Sequence, residues 1–316
     1  DVYKKLLLVA RSSKTIYLTT GHGERAEESG GAGDSRATIA LLKNELKGQN
    51  YDVRSLSAAE GLASDVPKDA SAVLILGPRE TFTEPEAKAL EAYSKRGGKL
   101  FIALDAESGK DFAELVKPLG LSFLPVPLAN DTAYARKTYS PSDKIIIGTR
   151  SFSSHPSVTS NSRGGFPMFV MGGGAVEELK AHPADLVLDF PVRAEANTWN
   201  DLNGNFEFDA PAETRKAWGL AAAITRRAPS GKPDEELRAV VLGDSDAIAD
   251  EVLQGAKGNG YFVLDALKWL LGDESTAGVT NTEVDAPILR TRQQDMAWFY
   301  ATIFLGPALV VVAGAF

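Results

Sequence analysis

The residues best suited to chemistry directly follow four apolar segments of the chain. Imidazole and carboxylate groups are the side chains that bind divalent metals or transfer protons. In an open parallel sheet, ligands bind outside the carboxyl ends of the strands. If the four segments are neighbouring parallel strands, one rim gathers the residues that follow them. The candidate residues of this rim are Gly21, His22, Gly23, Glu24, Asp105, Asp244 and Asp246, with Gly77-Pro78 after the remaining segment.

A structural role competes with this chemical one. Glycine and aspartate are common at strand ends because they turn the chain and cap the helix that follows. Asp244 or Ser245 is placed to cap a helix predicted near residues 247–253. We favour capping over catalysis for these residues, and both a binding rim and a catalytic rim stay open at this point.

Residues 201–209 form the best candidate metal loop. Calcium loops place side-chain oxygens at alternate positions. Positions one, three, five and nine would be Asp201, Asn203, Asn205 and Asp209. The pattern departs from a calcium loop at position six, which is Phe206, and at position twelve, where Glu213 comes one residue late. A polar turn between strands is therefore the favoured interpretation.

The composition excludes several classes of function. The chain has 316 residues, 44% of them hydrophobic, and no cysteine, so thiol catalysis, disulfides and iron–sulfur ligation are excluded. A formal net charge of −8 argues against nucleic acid as a partner. The glycine-rich loop at residues 29–33 precedes a predicted helix but matches neither phosphate-binding fingerprint. We expect no cofactor.

Apolar β-rich runs alternate with helical patterns along the first part of the chain and again in its last third, which predicts an α/β fold with a doubly wound, mostly parallel sheet. The predicted domain spans residues 15–275, after a helix end at residues 1–14, and has an irregular insertion at about residues 121–200. The predicted strands of the regular parts cover residues 15–20, 51–56, 72–76, 99–104 and 237–242, and residues 218–225 are a strand or a helix, with the strand favoured. Candidate strands of the middle region cover residues 122–126, 144–148 and 185–190.

The C-terminal segment, residues 296–316, carries no charged residue. At about 1.5 Å per residue it would reach roughly 30 Å, the hydrocarbon thickness of a bilayer. Trp298 and Tyr300 stand at its start, where amphipathic rings favour the interface. A polar linker at residues 276–295 thus leads into a predicted transmembrane helix, with a buried core helix as the alternative.

Several short motifs occur in the order seen in a known family. They are TIYLTTGHGE at residues 15–24, AVLILGP ending at Pro78, residues 84–105 with Gly97-Gly98, VVLGDSD at 240–246, GNGYFVLDALKWLLGDE at 258–274, and the terminal apolar segment. In this order the chain resembles the GldG-like auxiliary subunits of ABC-type transport systems, first associated with bacterial gliding motility. The resemblance spans almost the whole chain, and its specificity lies in the order of the motifs.

The resemblance implies an extracytoplasmic α/β domain at the bacterial inner membrane, in complex with an ABC permease and its ATPase. It also implies a fold similar to glutamine-amidotransferase-like domains, whose thiol chemistry the chain lacks. We therefore expect a non-enzymatic, membrane-anchored accessory subunit that contacts the lipid bilayer through residues 296–316. The alternative is a membrane-tethered hydrolase, or a glycan- or ligand-binding module, that uses the carboxylate-rich rim.

Overall fold

An eight-stranded mixed sheet organises the protein. The computed structural model describes residues 14–27, 38–228, 230–232 and 235–273. The strands are β1 (Lys14–Thr19), β2 (Tyr51–Leu56), β3 (Ala70–Leu76), β4 (Lys99–Ala103), β5 (Leu121–Leu124), β6 (Leu128–Ala129), β7 (Ile146–Thr149), β8 (Ser151–Phe152), β9 (Met168–Met171), β10 (Ala175–Glu178), β11 (Leu186–Arg193), β12 (Trp199–Asn200), β13 (Gly219–Arg226) and β14 (Leu237–Leu242). The helices are α1 (Ala40–Gly48), α2 (Glu84–Lys95), α3 (Ala113–Val116), α4 (Thr159–Gly164), α5 (Asp250–Gly255) and α6 (Lys257–Leu270).

The strand order in the main sheet is β2-β1-β3-β4-β14-β13-β11-β8. The first five strands run parallel to one another, and the β14/β13, β13/β11 and β11/β8 pairs are antiparallel. β2, the next strand after β1 in the chain, pairs with one side of β1, and β3 pairs with the other side of β1. The topological switch point, where ligands bind in such sheets, therefore lies between β1 and β3.

Helices cover both faces of the parallel half. Alternate residues of a strand point to opposite faces, and in β3 Leu74 and Leu76 pack into one core while Val73 and Ile75 pack into another. The first core contains buried residues of α1 and α6, and the second contains those of α2 and α3. Burial on both faces explains why β3 reads as an almost unbroken apolar run.

The middle of the chain contributes to the main sheet more than its irregular pattern predicted. The strand predicted at residues 185–190 is β11, which pairs with β13 and β8 in the main sheet. Three small antiparallel pairs, β5/β10, β6/β12 and β7/β9, make up the rest of this region. The sheet is consequently mixed, with a parallel half that carries the predicted rim.

Four predictions fall on parts of the chain that the structure does not describe. They are the helix end at residues 1–14, of which only Lys14 is described, the glycine-rich loop at 29–33, the polar linker at 276–295, and the transmembrane helix at 296–316. Across the described ranges, no helix has the length and apolar character needed to cross a membrane.

Candidate functional site

The carboxyl ends of β1, β3, β4 and β14 meet at one edge of the sheet, as predicted. Gly77, after β3, has φ +65°, and a Cβ on it would lie 2.6 Å from the Ser245 Oγ that follows β14. Only glycine allows this approach at that backbone conformation. The predicted rim residues do not form one constellation, however, because their side chains divide between two clusters.

The first group, here called the histidine cluster, consists of His22, Glu24, Phe82 and Glu86. The His22 ring lies between two carboxylates, with Nδ1 3.0 Å from Glu24 Oε1 and Nε2 3.2 Å from Glu86 Oε2. Its face stacks on Phe82, with ring centroids 3.9 Å apart. The second oxygen of Glu24 accepts the backbone N–H of His22 at 2.7 Å. Both ring nitrogens and one face of the ring are thus in contact with the protein itself.

The start of α2 holds the histidine cluster in place. Glu86 Oε2 also accepts the backbone N–H of Thr83 at 3.0 Å and its hydroxyl at 2.5 Å. Burial by itself would raise the pKa of Glu86, but the hydrogen bonds from Thr83 and His22 outweigh it and lower the pKa. Glu86 is therefore a carboxylate that joins the loop after β1 to the N-terminus of α2.

The second group, the arginine cluster, consists of Arg25, Asp105, Asp244, Ser245 and Asp246. Arg25 Nη2 lies 2.5 Å from Asp246 Oδ1 and 3.4 Å from Asp105 Oδ2, and its Nε donates to Ser245 Oγ at 3.0 Å. Ser245 Oγ in turn donates to Asp105 Oδ2 at 2.9 Å. The loops after β1, β4 and β14 are thereby tied together through one guanidinium group.

Asp244 lies deepest in the arginine cluster, with 1% of its surface exposed. Its Oδ2 accepts the backbone N–H of Met171 at 2.6 Å, and its Oδ1 accepts that of Asp246 at 2.9 Å. Burial, followed by the nearby charges of Asp246 and Asp105, raises the pKa of Asp244 well above its usual value. Asp244 is thus a buried carboxyl group that links β9 to the loop after β14.

Among the described residues, Asp105, Asp244 and Asp246 are a group whose oxygens come close enough for a shared cation, all within 4.8 Å of one another. Oxygen-rich sites of this kind suit Mg²⁺ or Ca²⁺. Arg25 already supplies a cation to two of the three carboxylates. The geometry therefore fits an ion-pair network around Arg25 better than a metal site.

The crevice between β1 and β3 is closed by the backbone of the chain. The Arg25 N–H donates to the Leu76 carbonyl at 2.8 Å, while the N–H groups of Arg79 and Glu80 donate to the His22 carbonyl at 2.7 and 2.9 Å. These bonds cross the switch point, where a ligand would bind in a sheet of this topology.

A separate groove of about 840 Å³ opens beside the ends of β1 and β2. Gly21, Gly23 and Glu24 line it, whereas His22, Asp105, Asp244 and Asp246 are not part of its wall. Lys43 and Arg54, also in the wall, pair with Glu27 and Asp52 respectively. If the rim binds a ligand, the ligand occupies this groove.

The candidate calcium loop at residues 201–209 is held by its own hydrogen bonds. Asp201 accepts the N–H groups of Gly204 and Phe206 at 2.9 and 3.0 Å. The side-chain amides of Asn203 and Asn205 donate to one oxygen of Asp209, at 2.8 and 2.7 Å. The four predicted residues are therefore brought together, in the hydrogen-bonded arrangement of a polar turn.

Glu213, which the calcium pattern places one residue late, is a principal support of this loop. Its side chain is buried, and its two oxygens accept the N–H groups of Leu202 and Asp209, both at 2.9 Å. Lys144 donates to the Phe206 carbonyl at 2.8 Å from outside the loop. The side chains at residues 201–213 offer the oxygen ligands that calcium loops use. Calcium binding at this loop stays a prediction.

Sequence reasoning did not identify Arg25 and Glu86, the two residues that organise the clusters. Glu86 had a local signal, because Thr83 and Glu86 form the Thr-x-x-Glu pattern that starts many helices. Arg25 had none beyond its position after the Gly21–Glu24 stretch. Its role depends on residues about 80 and 220 positions away, which no spacing rule connects.

Comparisons with known proteins agree with this architecture. Residues 13–130 match the model of a family described as an ABC-type uncharacterized transport system, which supports an auxiliary protein associated with ABC transport. The matched segment includes β1 to β4 and the whole histidine cluster. No curated protein sequence matches the chain.

Solved structures with similar folds share little sequence with the chain. The N-terminal domain of mmIFT52 aligns with 81% of this chain and 97% of its own, at a TM-score of 0.58 and 14% identity. Putative ThuA-like proteins from Parabacteroides merdae and Bacteroides uniformis align with 83% and 82% of this chain and 91% of their own, at TM-scores of 0.44 and 0.42 and 12% identity. At these identities the first likeness concerns the fold alone, and the other two scores are too low to support more.

Proposed function

We propose that the protein is a non-enzymatic, membrane-anchored accessory subunit of an ABC transporter complex, which couples its α/β domain to a permease and an ATPase. The observation that carries this proposal is the match of residues 13–130 to a family of ABC-type transport systems. The match covers three of the motifs whose order suggested the GldG-like subunits of gliding bacteria, namely those at residues 15–24, at the strand ending at Pro78, and at residues 84–105. We therefore also propose that the chain is a GldG-like subunit associated with gliding motility.

The use of the rim residues supports a non-catalytic role. Catalysis needs a nucleophile or a proton-transferring group that reaches a bound substrate. The alternative of a tethered hydrolase depends on His22, Glu24, Asp105 and Asp244 sharing one pocket. The first two belong to the histidine cluster and the last two to the arginine cluster, and each makes hydrogen bonds that fix a loop or a helix start.

A ligand-binding module remains the second candidate function, because the groove beside β1 and β2 is open. A glycan or other polar ligand in this groove would contact Lys43, Arg54 and the Gly21–Glu24 backbone. Binding there is compatible with an accessory subunit that presents a ligand to a transporter.

The proposed location is the bacterial inner membrane, with the α/β domain on the extracytoplasmic side. The support for the anchor is the uncharged segment at residues 296–316, which is long enough to cross a bilayer. In this arrangement the partner ATPase supplies the energy for transport, and the chain contacts its partners through its anchor and its surface.

Deleting residues 296–316 tests the anchor and the partnership together. We expect the tagged full chain to sediment with membranes and to copurify with a permease and an ATPase, and the shortened chain to lose both properties. A chain in which the same segment is replaced by an unrelated transmembrane helix is the matched control. Recovery of the partners with the shortened chain would overturn the anchoring role, and absence of partners from the full chain would overturn the transporter role.

A further inference from the structure

A segment between β8 and β9, residues 153–166, packs against α6. It contains a 3₁₀ turn at Pro156–Val158, which leads directly into α4. Val158 is fully buried and belongs to the same core as Phe262 and Trp269 of α6. The 153–166 segment therefore contributes to the core although it is not part of the sheet.

Polar contacts attach the middle of this segment to α6. Asp265 accepts the backbone N–H of Ser160 at 2.7 Å and its hydroxyl at 3.2 Å. The side-chain amide of Asn161 donates to the Gly258 carbonyl at 2.9 Å. The middle of the segment is thus fixed by side chains other than those at its start.

The start of the segment depends on a histidine. His155 is the N-cap of the turn, and its Nδ1 accepts the backbone N–H of Ser157 at 3.2 Å. Pro156 follows at the start of the turn, where its missing N–H needs no partner. A ring nitrogen accepts a hydrogen bond only when it carries no proton. The cap therefore requires the neutral ring, with its proton on Nε2.

The His155 ring is also in contact with the end of α6. It meets the Trp269 ring edge-on, with ring centroids 4.5 Å apart. Its Nδ1 lies 2.9 Å from Ser157 Oγ, a hydroxyl that can donate to a neutral ring or accept from a charged one. When the ring takes up a proton, this hydroxyl can reverse its role, whereas the backbone N–H of Ser157 cannot.

The surroundings of His155 disfavour its charged form. Burial lowers the pKa of His155 below its usual value of 6.5, the charge of Asp189 raises it, and the charge of Arg238 lowers it. Asp189 is linked to the ring's own backbone, because Ser153 Oγ donates to Asp189 at 2.9 Å and accepts the His155 N–H at 3.1 Å. The charged groups on the elements around the ring are Asp189 of β11, Asp265 of α6, Arg238 of β14, and Glu236, which pairs with Arg238.

We propose that His155 is an acid-sensitive cap, whose protonation releases the start of the segment, residues 153–158, from the end of α6. Protonation puts a hydrogen on Nδ1, so this donor faces the Ser157 N–H donor and the cap bond is lost. The middle of the segment stays attached through Asp265 and the Gly258 carbonyl. Every group involved lies in residues 153–269, so the proposal does not depend on a membrane anchor or on transporter partners.

The effect of pH on this cap has a defined sign. Because the pKa of His155 is lowered in the folded protein, the ring binds a proton more readily once the turn has opened. The capped turn is therefore fully stable above pH 6.5 and loosens as the pH falls from 6.5 through the lowered pKa. A histidine responds in this way within the physiological pH range.

Amide hydrogen exchange of the full chain in mild detergent tests the proposal. Exchange is compared between about pH 7.5 and about pH 5, after correction for the intrinsic effect of pH on exchange. Loss of a cap should raise the opening constant of the turn roughly fivefold. We expect this increase at residues 157–160 and no comparable increase in the middle of α6. Equal protection of residues 157–160 at both pH values would overturn the proposal.

Substitutions of two histidines assign the effect to the cap. In His155→Asn, the amide oxygen accepts the Ser157 N–H but does not titrate, so we expect slow exchange at both pH values. His155→Ala has no cap and should exchange rapidly at both. His182→Asn, at an ion pair with Glu178 outside the segment, is the matched control and should keep the pH dependence. Persistence of the pH dependence in His155→Asn, or its loss in His182→Asn, would contradict the proposal.

Nuclear magnetic resonance of the histidine rings gives a second test that needs no folded variant of His155. The chain has three histidines, so their ring signals are few enough to resolve. We expect the His155 ring to titrate below pH 6.5, with the midpoint of the exchange change. Asp189→Asn keeps an acceptor for Ser153 but removes a charge that favours the protonated ring, so both midpoints should move to lower pH. A His155 midpoint at or above 6.5, or separate midpoints for ring and exchange, would overturn the proposal.

Discussion

The two edges of the parallel sheet use their charged residues in opposite ways. At the carboxyl edge, Arg25 is only 11% exposed as a side chain and contacts Asp105, Ser245 and Asp246. At the amino edge, where these strands begin, Arg96 is 41% exposed and faces a cavity with other cations. The carboxyl edge, with residue types typical of an active site, uses most of these side chains in internal pairs, and the groove that opens there is lined by none of the three rim aspartates. The amino edge, without any such pattern, leaves its arginine more exposed.

This difference shows that residue type at a strand end is a weak guide to chemistry. A buried carboxylate costs free energy unless it is paired, so neighbouring donors are recruited to it during folding. The carboxyl edge contains enough donors, from Arg25 and backbone N–H groups, to satisfy its carboxylates internally. What remains available for partners is set by exposure rather than by the identity of the residues.

Removing the cation of the arginine cluster should have the largest effect on stability. Arg25→Gln leaves Asp105 and Asp246 without their counterion, and breaking a buried ion pair from one side costs about 3–5 kcal/mol. Chemical denaturation of the variant and of Lys88→Gln, which alters an exposed pair, would measure the difference. A loss below about 1 kcal/mol for Arg25→Gln would contradict the structural role of this cluster, because exposed pairs are worth that much.

The histidine cluster should show the next largest effect. His22→Ala removes the donor between Glu24 and Glu86 and the ring that stacks on Phe82. An unsatisfied buried polar group costs about 1–3 kcal/mol, and the lost stacking adds to it. His182→Ala, at an exposed ion pair, is the control in the same denaturation series. Unchanged stability of His22→Ala would leave the ring free for a chemical role.

Asp244 should make stability depend on pH in a defined direction. Because its pKa is raised in the folded protein, the folded state keeps the proton at pH values where the unfolded chain has lost it. The free energy of unfolding therefore falls as the pH rises from about 4 toward the raised pKa. Asp244→Asn removes this dependence, so its stability relative to the unchanged chain should rise between pH 4 and pH 8. A relative stability that falls over this range would show that Asp244 is ionised in the folded protein and that its ionised form stabilises the fold.

The smallest change in stability is expected at the amino edge. Lys68→Gln and Arg96→Gln affect side chains in contact with solvent, where substitutions usually change the free energy of unfolding by about 0.5 kcal/mol or less. Thermal unfolding of both single variants would measure it. Losses as large as that of Arg25→Gln would mean that the amino edge, like the carboxyl edge, is an internal network, and the contrast between the edges would disappear.

The sequence predicted the parallel strands and the rim position because both depend on local patterns. Apolar runs such as Ala72 to Leu76 and the glycines after them are readable within ten residues. The partners of these residues are not local. Arg25 reaches Asp246 across 221 positions, and the amino-edge cations are spread from Lys14 to Arg238, so only the folded sheet brings them together. For the same reason β11 was not recognised as a strand of the main sheet.

Absolute quantification of the proteins that copurify with the tagged full chain in mild detergent tests the central claim most directly. If the chain is an accessory subunit, a multispanning permease and an ATPase should be recovered with it in a near-fixed ratio. The matched surface control, Lys88→Gln, should give the same ratio. Recovery of the chain alone across several detergents would contradict the account. The groove beside β1 and β2 would then become the first place to search for a ligand.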